Sequence, residues 1–202
     1  RFGNTDGFFT EKEKIYFIRR AIGGVALITV GDVVPVADTQ VVPMYEAIYD
    51  DKFIPGWREF AKAIHDAGAK LSVQLSHGGN ECRSATTGRK PVAPSAIFSP
   101  FAGETPHELT KEEIEELTEK SAQAAVRARD AGADVVEIQG SQGFLLQNFM
   151  TPLFNKRTDE YGGNVKGRVK FPVEVIKRVK ERAGSDFPVV FRMVASDLVE
   201  GG

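Results

Sequence analysis

Polar side chains follow short apolar runs at four places in the chain, and these are the residues whose types could carry chemistry. They stand in the sequence as Gly31-Asp32, Gln74 to Gly79, Glu137 to Gln142, and Arg192-Met193. Amides, carboxylates, a histidine and an arginine can position a ligand through hydrogen bonds and charge. Parallel strands of a barrel end on one common face, so we expect these residues to line one site.

A repeated unit of structure must position these residues. An amphipathic, charged segment ends in glycine and is followed by a β-branched run; the four pairs are Ile15 to Gly23 with Val25 to Val30, Trp57 to Gly68 with Lys70 to Leu75, Glu112 to Gly132 with Asp134 to Ile138, and Val173 to Gly184 with Pro188 to Arg192. Glycine tolerates the left-handed conformation that ends a helix, and short apolar runs suit parallel strands covered on both faces. Thr10 with Glu13 and Thr110 with Glu113 are typical of helix-starting capping boxes. The alternation predicts a parallel α/β fold.

Two parallel architectures compete for this pattern. A doubly wound sheet typically carries G-x-G-x-x-G after an early strand, and the sequence contains no such motif. Polar residues at every strand end favour a (β/α)8 barrel instead. A barrel needs eight strands in about 250 residues, whereas four are visible among the 202 here. We therefore expect residues 1–202 to form a partial barrel domain that is incomplete at both ends.

Composition excludes several classes of function. A formal net charge of -2 gives no electrostatic reason to expect a nucleic acid partner. The longest apolar run, Val25 to Val30, is far shorter than the roughly 20 residues of a membrane span. Cys82 is the single cysteine, which excludes an internal disulfide and fits a cytoplasmic location. The three histidines show no metal-ligand spacing with it, so no metal site is predicted.

Several motifs together resemble one enzyme family. They are Gln74-Leu-Ser-His-Gly-Gly79, Pro91-Val-Ala-Pro-Ser95, Ala131 to Ile138, Gly143 to Phe149, and Asn155-Lys-Arg-Thr-Asp-Glu-Tyr-Gly-Gly163. The chain is similar to the Old Yellow Enzyme and 2,4-dienoyl-CoA reductase family of NADH:flavin oxidoreductases. In the frame of that family the segment begins just after the first barrel strand and ends just after the fifth. The resemblance implies FMN as cofactor and NAD(P)H as electron donor.

The resemblance also assigns cofactor contacts to three positions. Gln74 matches the glutamine that hydrogen-bonds the pyrimidine edge of the flavin, and Gly31 falls where the chain passes close to the ring. Arg192 matches the arginine near flavin N1 and O2, where a fixed cation stabilises the negative charge of the reduced ring.

The chain departs from the family at the positions expected to be catalytic. The family usually has His, then His or Asn three residues on, then Tyr two further, and here these are Gln139, Gln142 and Phe144. An amide N–H still hydrogen-bonds a carbonyl oxygen, but neither amide donates a proton near neutral pH, and Phe144 has no acidic group. His77, at a strand end, is a fourth candidate through substrate contact, with capping of the strand-end turn as the alternative.

Three interpretations follow. The first is an FMN-dependent oxidoreductase that passes hydride from NAD(P)H through flavin to an enoyl-type or related small molecule. The second is a truncated or decayed barrel piece without flavin or catalysis, and the third is an amine-dehydrogenase-like flavoenzyme. We expect the isolated 202 residues to be inactive.

Three further expectations concern the surroundings of the site. The closest-looking branch of the family carries an iron–sulfur cluster and FAD in regions downstream of this segment. A homo-oligomer is an open alternative to a monomer. We also expect Arg157, Asp159 and Arg168 to form a hydrogen-bonded loop rather than a catalytic site.

Overall fold

Four parallel strands form the main sheet in a computed structural model, which describes residues 3–201. The strands within residues 3–201 are β1 Leu27–Val33, β2 Lys70–Leu75, β3 Val92–Ala93, β4 His107–Glu108, β5 Val135–Gly140 and β6 Val189–Met193. The main sheet has the order β1-β2-β5-β6, with every neighbouring pair parallel. Strands β3 and β4 form a separate parallel pair in the long connection after β2. Arg1, Phe2 and Gly202, at the ends of the predicted domain, lie outside the described residues.

Helices fill the connections between the strands. They are α1 Glu11–Ile22, α2 Ile54–Asp66, α3 Ser84–Thr87, α4 Lys111–Asp130, α5 Leu145–Met150, α6 Val165–Arg168 and α7 Lys170–Ala183, with 3₁₀ turns at Asp51–Phe53 and Gly79–Glu81. A capping box starts α4, because Thr110 Oγ1 accepts from the Glu113 N–H while the Glu113 carboxylate accepts from the Thr110 N–H. None of the helices within residues 3–201 combines the length and apolarity that a bilayer span requires.

The predicted βα units are present, and the fold is a partial (β/α)8 barrel. Strand β2 has the predicted bounds, whereas β1 starts two residues later than Val25 and continues to Val33. One capping prediction was wrong. Gly23 has φ -72°, and the left-handed residue is Gly24 at φ 95°, because α1 extends to Ile22 and the turn is completed one residue later. Gly68, Gly132 and Gly184 do have positive φ.

The core lies between the sheet and the helices. Leu71 and Val73 alternate with polar residues along β2 and are buried, as are Phe60 and Ile64 on α2. Burying each such side chain stabilises the fold by roughly 1.5–3 kcal/mol. The opposite face of β2 carries Ser72 and Gln74, so polar side chains point to the interior of the barrel.

The two outer strands leave apolar side chains exposed. Leu27 on β1 is 45% exposed, and Val190 and Met193 on β6 are 46% and 62% exposed. Closing a barrel pairs such strand edges and covers such side chains. The sheet therefore has the form of one sector of a barrel.

Candidate functional site

A β-bulge distorts β1 where it reaches the mouth of the barrel. Val30 pairs with Val73 and Val33 with Leu75, so Gly31 and Asp32 together oppose a single residue, Gln74. Asp32 adopts φ 54°, a left-handed conformation that is uncommon outside glycine. Bulges beside active sites redirect side chains, and strained backbone clusters at functional sites.

Gln74 connects the bulge to the neighbouring strand. Its Oε1 accepts from the Asp32 N–H at 3.1 Å, and its Nε2 donates to Glu137 Oε1 at 2.5 Å. The side chain is only 3% exposed, so both ends of the amide are held in place by protein. A Cβ added to Gly31 would lie 3.2 Å from Gln74 Oε1, which places Gly31 directly against this amide on the inner face.

Gln139 lies beside Gln74 and is equally buried, at 2% exposure. Its Oε1 accepts from Ser141 Oγ at 2.6 Å, and its Nε2 donates to Gln142 Oε1 at 3.2 Å and Gln74 Oε1 at 3.4 Å. Because the Ser141 hydroxyl donates to the oxygen, the amide orientation is fixed with its N–H groups towards the other two glutamines.

Gln142 and Phe144 complete the loop after β5. Gln142 is exposed and has φ 63°, and its side-chain oxygen Oε1 accepts from Gln139 Nε2. Phe144 is 7% exposed and lines a cavity together with Asp32 and Ser76. The structure therefore brings Gln74, Gln139 and Gln142 into one hydrogen-bonded chain, with Phe144 beside its end.

Arg192 occupies the outer strand of the same region. It pairs in register with Gln139 across β5 and β6, and it is exposed to solvent. Gly31, Gln74, Gln139 and Arg192 thus share the inner face near the carboxyl ends of four consecutive strands.

His77 lies in the turn that follows β2. Its Nδ1 accepts from the Gly79 N–H at 3.1 Å, and its side chain lines a cavity on the helix side with Leu117 and Ser121 of α4. Burial lowers the pKa of His77 to about 4, so the ring is neutral at pH 7. The structure places His77 in the strand-end turn, where it lines the same helix-side cavity as Gln139.

Sequence reasoning named Glu137, Ser141 and Asp32 among the strand-end residues but assigned none of them a role. Glu137 lies two residues before Gln139 and Ser141 two residues after it. Because side chains alternate along a strand, this spacing predicts that all three side chains point to the same side of the sheet. Asp32 was visible only as a strand-end residue, because a bulge needs the register of both strands to be recognised.

Neither a metal-ligand cluster nor a reactive thiolate is found among the described residues. Within residues 3–201 no group of three His, Cys, Asp or Glu side chains could hold a metal ion. Cys82 is buried, its thiol donates to the Thr39 carbonyl, and burial raises its pKa to about 12. A thiol in this state is a poor nucleophile.

The fold and the inward-facing polar residues at the strand ends belong to a known class. Residues 3–202 match the NADH:flavin oxidoreductase / NADH oxidase family, and the chain belongs to that family. The family uses FMN, with NAD(P)H as electron donor. The resemblance stated from the sequence motifs is therefore confirmed.

Individual relatives are similar over nearly the whole chain. A NADH oxidase of Thermoanaerobacter brockii is 42% identical over 201 residues, which are 98% of this chain and 31% of that protein. A 2-naphthoyl-CoA reductase in complex with 2-naphthoyl-CoA superposes with a TM-score of 0.94 at 29% identity, covering 100% of this chain and 33% of the other. An Old Yellow Enzyme homologue from Zymomonas mobilis has a TM-score of 0.88 at 30% identity, covering 99% and 58%. The chain thus spans about a third to just over half the length of these relatives.

Proposed function

We propose that the full-length protein is an FMN-dependent oxidoreductase that passes hydride from NAD(P)H through the flavin to an enoyl-type or related small molecule. The observation that carries the proposal is the inward-facing chain Gln74–Gln139–Gln142 at the barrel mouth, held in place by hydrogen bonds. Family membership and the 2-naphthoyl-CoA complex of a relative support a carbonyl or thioester substrate of this class.

The residues at the mouth fit an FMN ring. Gly31 has no side chain, and a Cβ added there would lie 3.2 Å from Gln74 Oε1. The absence of a side chain leaves the inner face beside Gln74 open to a flat group. Gln74 Nε2 donates one N–H to Glu137, and its second N–H can donate to a C=O group of a pyrimidine edge. Arg192 adds a solvent-exposed cation on the same face. We assign Gly31, Gln74 and Arg192 to the cofactor.

The substrate carbonyl is assigned to Gln139 and Gln142. FMN, when bound, supplies the hydride chemistry. Ser141 donates to the Gln139 oxygen, so that the Gln139 N–H groups point towards Gln74 and Gln142. One of these hydrogen bonds can be exchanged for a substrate carbonyl, and exposed Gln142 can turn its own N–H groups to a ligand. Donors fixed before the reaction stabilise the negative charge that develops on a carbonyl oxygen.

Proton delivery differs from that expected of a Tyr-containing relative. Phe144 contributes an apolar wall to the cavity that it shares with Asp32 and Ser76. Amides do not titrate near neutral pH, so we propose that the proton comes from water or from a residue outside this segment. His77, neutral and hydrogen-bonded to the Gly79 N–H, is proposed to hold the strand-end turn in place rather than to contact the substrate.

The decisive experiment uses the full-length protein. It should be yellow, release FMN on denaturation, and oxidise NAD(P)H in the presence of an α,β-unsaturated thioester or ketone. Gln139→Ala with Gln142→Ala should lower kcat/KM by about 10²–10³ with FMN retained. Ser185→Ala, an exposed site beyond α7, is the matched control and should change nothing. A colourless protein would instead support the decayed-barrel interpretation.

Two finer assignments accompany this proposal. We propose that an iron–sulfur cluster and FAD lie in regions outside this segment, since the chain covers only 31% of the NADH oxidase it resembles. Iron and flavin analysis of the full-length protein tests this directly.

We also propose a cytoplasmic location, on the ground of the single cysteine.

A further inference from the structure

The cavity that Phe144 lines together with Asp32 and Ser76 lies at the end of β1. Its volume is about 110 Å³, and it lies between the loop that follows β1 and the ends of β2 and β5. Asp32, Ser76 and Phe144 come from three consecutive strand ends, while Thr39 and Gln40 belong to the loop after β1. Phe144 belongs to the same loop as Gln142, so this cavity lies beside the loop that follows β5.

The polar atoms of this cavity are mainly hydrogen-bond acceptors. Ser76 Oγ donates to Asp32 Oδ1 at 3.2 Å, and Thr39 Oγ1 donates to the Val36 carbonyl at 2.7 Å, so both hydroxyl protons are already committed to protein. Gln40 Oε1 is buried and has no hydrogen-bond partner among the described residues. A buried acceptor without a donor is costly, and a ligand that brings a donor removes that cost.

The backbone reinforces the placement of Asp32. The bulge that opposes Gly31 and Asp32 to one residue turns the carboxylate towards the cavity, at a φ of 54°. Asp32 is also tied to the cofactor side, since its N–H donates to Gln74 Oε1. The Asp32 carboxylate, which is the acceptor, therefore directly follows Gly31, which is assigned to the flavin.

We propose that this cavity is a substrate subsite that binds a hydrogen-bond donor, a hydroxyl or an ammonium group, through Asp32 and Gln40. The inference rests on the proposed function and deepens it, because it names a feature of the substrate at the same mouth. The carbonyl end binds Gln139 and Gln142, and the donor end reaches past Phe144 to Asp32. A carboxylate or phosphate at that end is excluded by repulsion from Asp32.

The test measures binding rather than turnover, by calorimetry on the full-length, FMN-loaded protein. Three probes share one scaffold: cyclohexanone, 4-hydroxycyclohexanone, and protonated 4-(dimethylamino)cyclohexanone. In the unmodified protein both donor-bearing probes should bind more tightly than cyclohexanone. Asp32→Asn should weaken the ammonium probe by about 10–100-fold and the hydroxyl probe by less, because the amide keeps an acceptor but loses the charge.

Matched variants separate a local role from a structural one. Asparagine tolerates the left-handed conformation, so Asp32→Asn preserves the backbone. Asp38→Asn is the control: Asp38 is also an aspartate at positive φ, at 63°, and its carboxylate pairs with exposed Arg89 outside this cavity. It should leave all three affinities unchanged. Gln40→Leu should weaken both donor-bearing probes and spare cyclohexanone.

Each outcome has one meaning. If each probe binds Asp32→Asn as tightly as it binds the unmodified protein, with FMN bound and turnover intact, the subsite is overturned and the proposed function stands. Equal weakening of all three probes would also overturn it, since the carboxylate would then act on the fold. Protein without FMN would overturn the proposed function and the subsite together.

Discussion

At the scale of single residues, one hydroxyl orients the amide of Gln139, which we propose binds the substrate carbonyl. Ser141 is 4% exposed and donates to Gln139 Oε1 at 2.6 Å, which leaves the Gln139 N–H groups directed to Gln74 and Gln142. Without that donor the amide can rotate and present its oxygen to a carbonyl oxygen. Ser141 is thus a positioning residue for Gln139.

We predict that Ser141→Ala lowers kcat by about tenfold with a smaller change in KM, less than the 10²–10³ lost when a donor is removed outright. Steady-state kinetics of the full-length protein measures the split between the two constants. Ser141→Thr, which keeps the hydroxyl, should recover most of the rate. Equal losses in both variants would show that packing at this position matters and the hydroxyl does not.

A second residue-scale prediction concerns Phe144. The ring is 7% exposed and faces a cavity, so a tyrosine hydroxyl can be added there without removing any atom that packs. Phe144→Tyr should raise the rate of enone reduction by roughly 10²-fold if proton transfer limits turnover, as general acids typically contribute 10²–10⁴. The measurement is single-turnover reoxidation of the reduced flavin in H₂O and D₂O. An unchanged rate with an unchanged solvent isotope effect would contradict it.

At the scale of elements, buried Arg157 joins two connecting segments of the barrel. Its Nε and Nη2 donate to both oxygens of Asp159, and its Nη1 donates to the carbonyls of Pro94 and Leu109. Arg168 extends the network by donating to the Met150 and Gly163 carbonyls. The prediction of a hydrogen-bonded loop is confirmed in these contacts, which connect the chain after α5 to the segment around β3 and β4.

We predict that Arg157→Lys lowers the free energy of unfolding by about 2 kcal/mol, because buried carbonyls lose their donor. Arg89→Lys is the control, since its guanidinium is 75% exposed in an ion pair of small expected value. The measurement is chemical denaturation of the full-length protein. Equal stability of both variants would contradict the argument.

The same pair makes stability depend on pH. The hydrogen bond from Arg157 lowers the pKa of Asp159 below its ordinary value. A lowered folded-state pKa stabilises the fold above the unfolded value of about 3.9, and this contribution is lost as pH falls through the folded-state pKa. The difference in stability between the unmodified protein and Arg157→Lys should therefore shrink at acid pH.

Two neighbouring glycines in this loop give a sharper comparison. A Cβ added to Gly162 would collide with the Arg157 carbonyl, whereas one added to Gly163 would meet nothing within 4 Å, at φ 68°. We predict that Gly162→Ala abolishes soluble folded protein or lowers Tm by more than 10 °C. Gly163→Ala should cost only the roughly 1 kcal/mol of a left-handed alanine. Similar losses in both would show that flexibility, and not contact, sets the requirement.

At the scale of the whole molecule, the repeated units and the family were predictable from sequence, and the site was predictable in part. Glycine after each helix and an apolar run after each glycine located all four main strands, because these are local signals. Contacts between distant segments were not predictable in the same way. The register shift that turns Asp32 and the bond from Ser141 to Gln139 depend on strand pairing and side-chain geometry, which composition and spacing do not encode.

The exposed strand edges lead to a prediction about the isolated segment. Val190 and Met193 on β6 and Leu27 on β1 lack the cover that further strands provide in a closed barrel. Residues 1–202 expressed alone should bind a hydrophobic dye, self-associate on gel filtration and fail to retain FMN, since uncovered edges and apolar side chains drive association. A monodisperse monomer that holds FMN would contradict this.

The order β1-β2-β5-β6 has a consequence for how the chain acquires its structure during synthesis. Each strand of the main sheet pairs with the one made immediately before it among these four, so every unit finds its partner already present as it leaves the ribosome. None of these four strands has to wait for a distant segment. In the frame of the family β1 follows the first barrel strand, so closure joins strands outside this segment and, as the step with the largest loop to order, comes last.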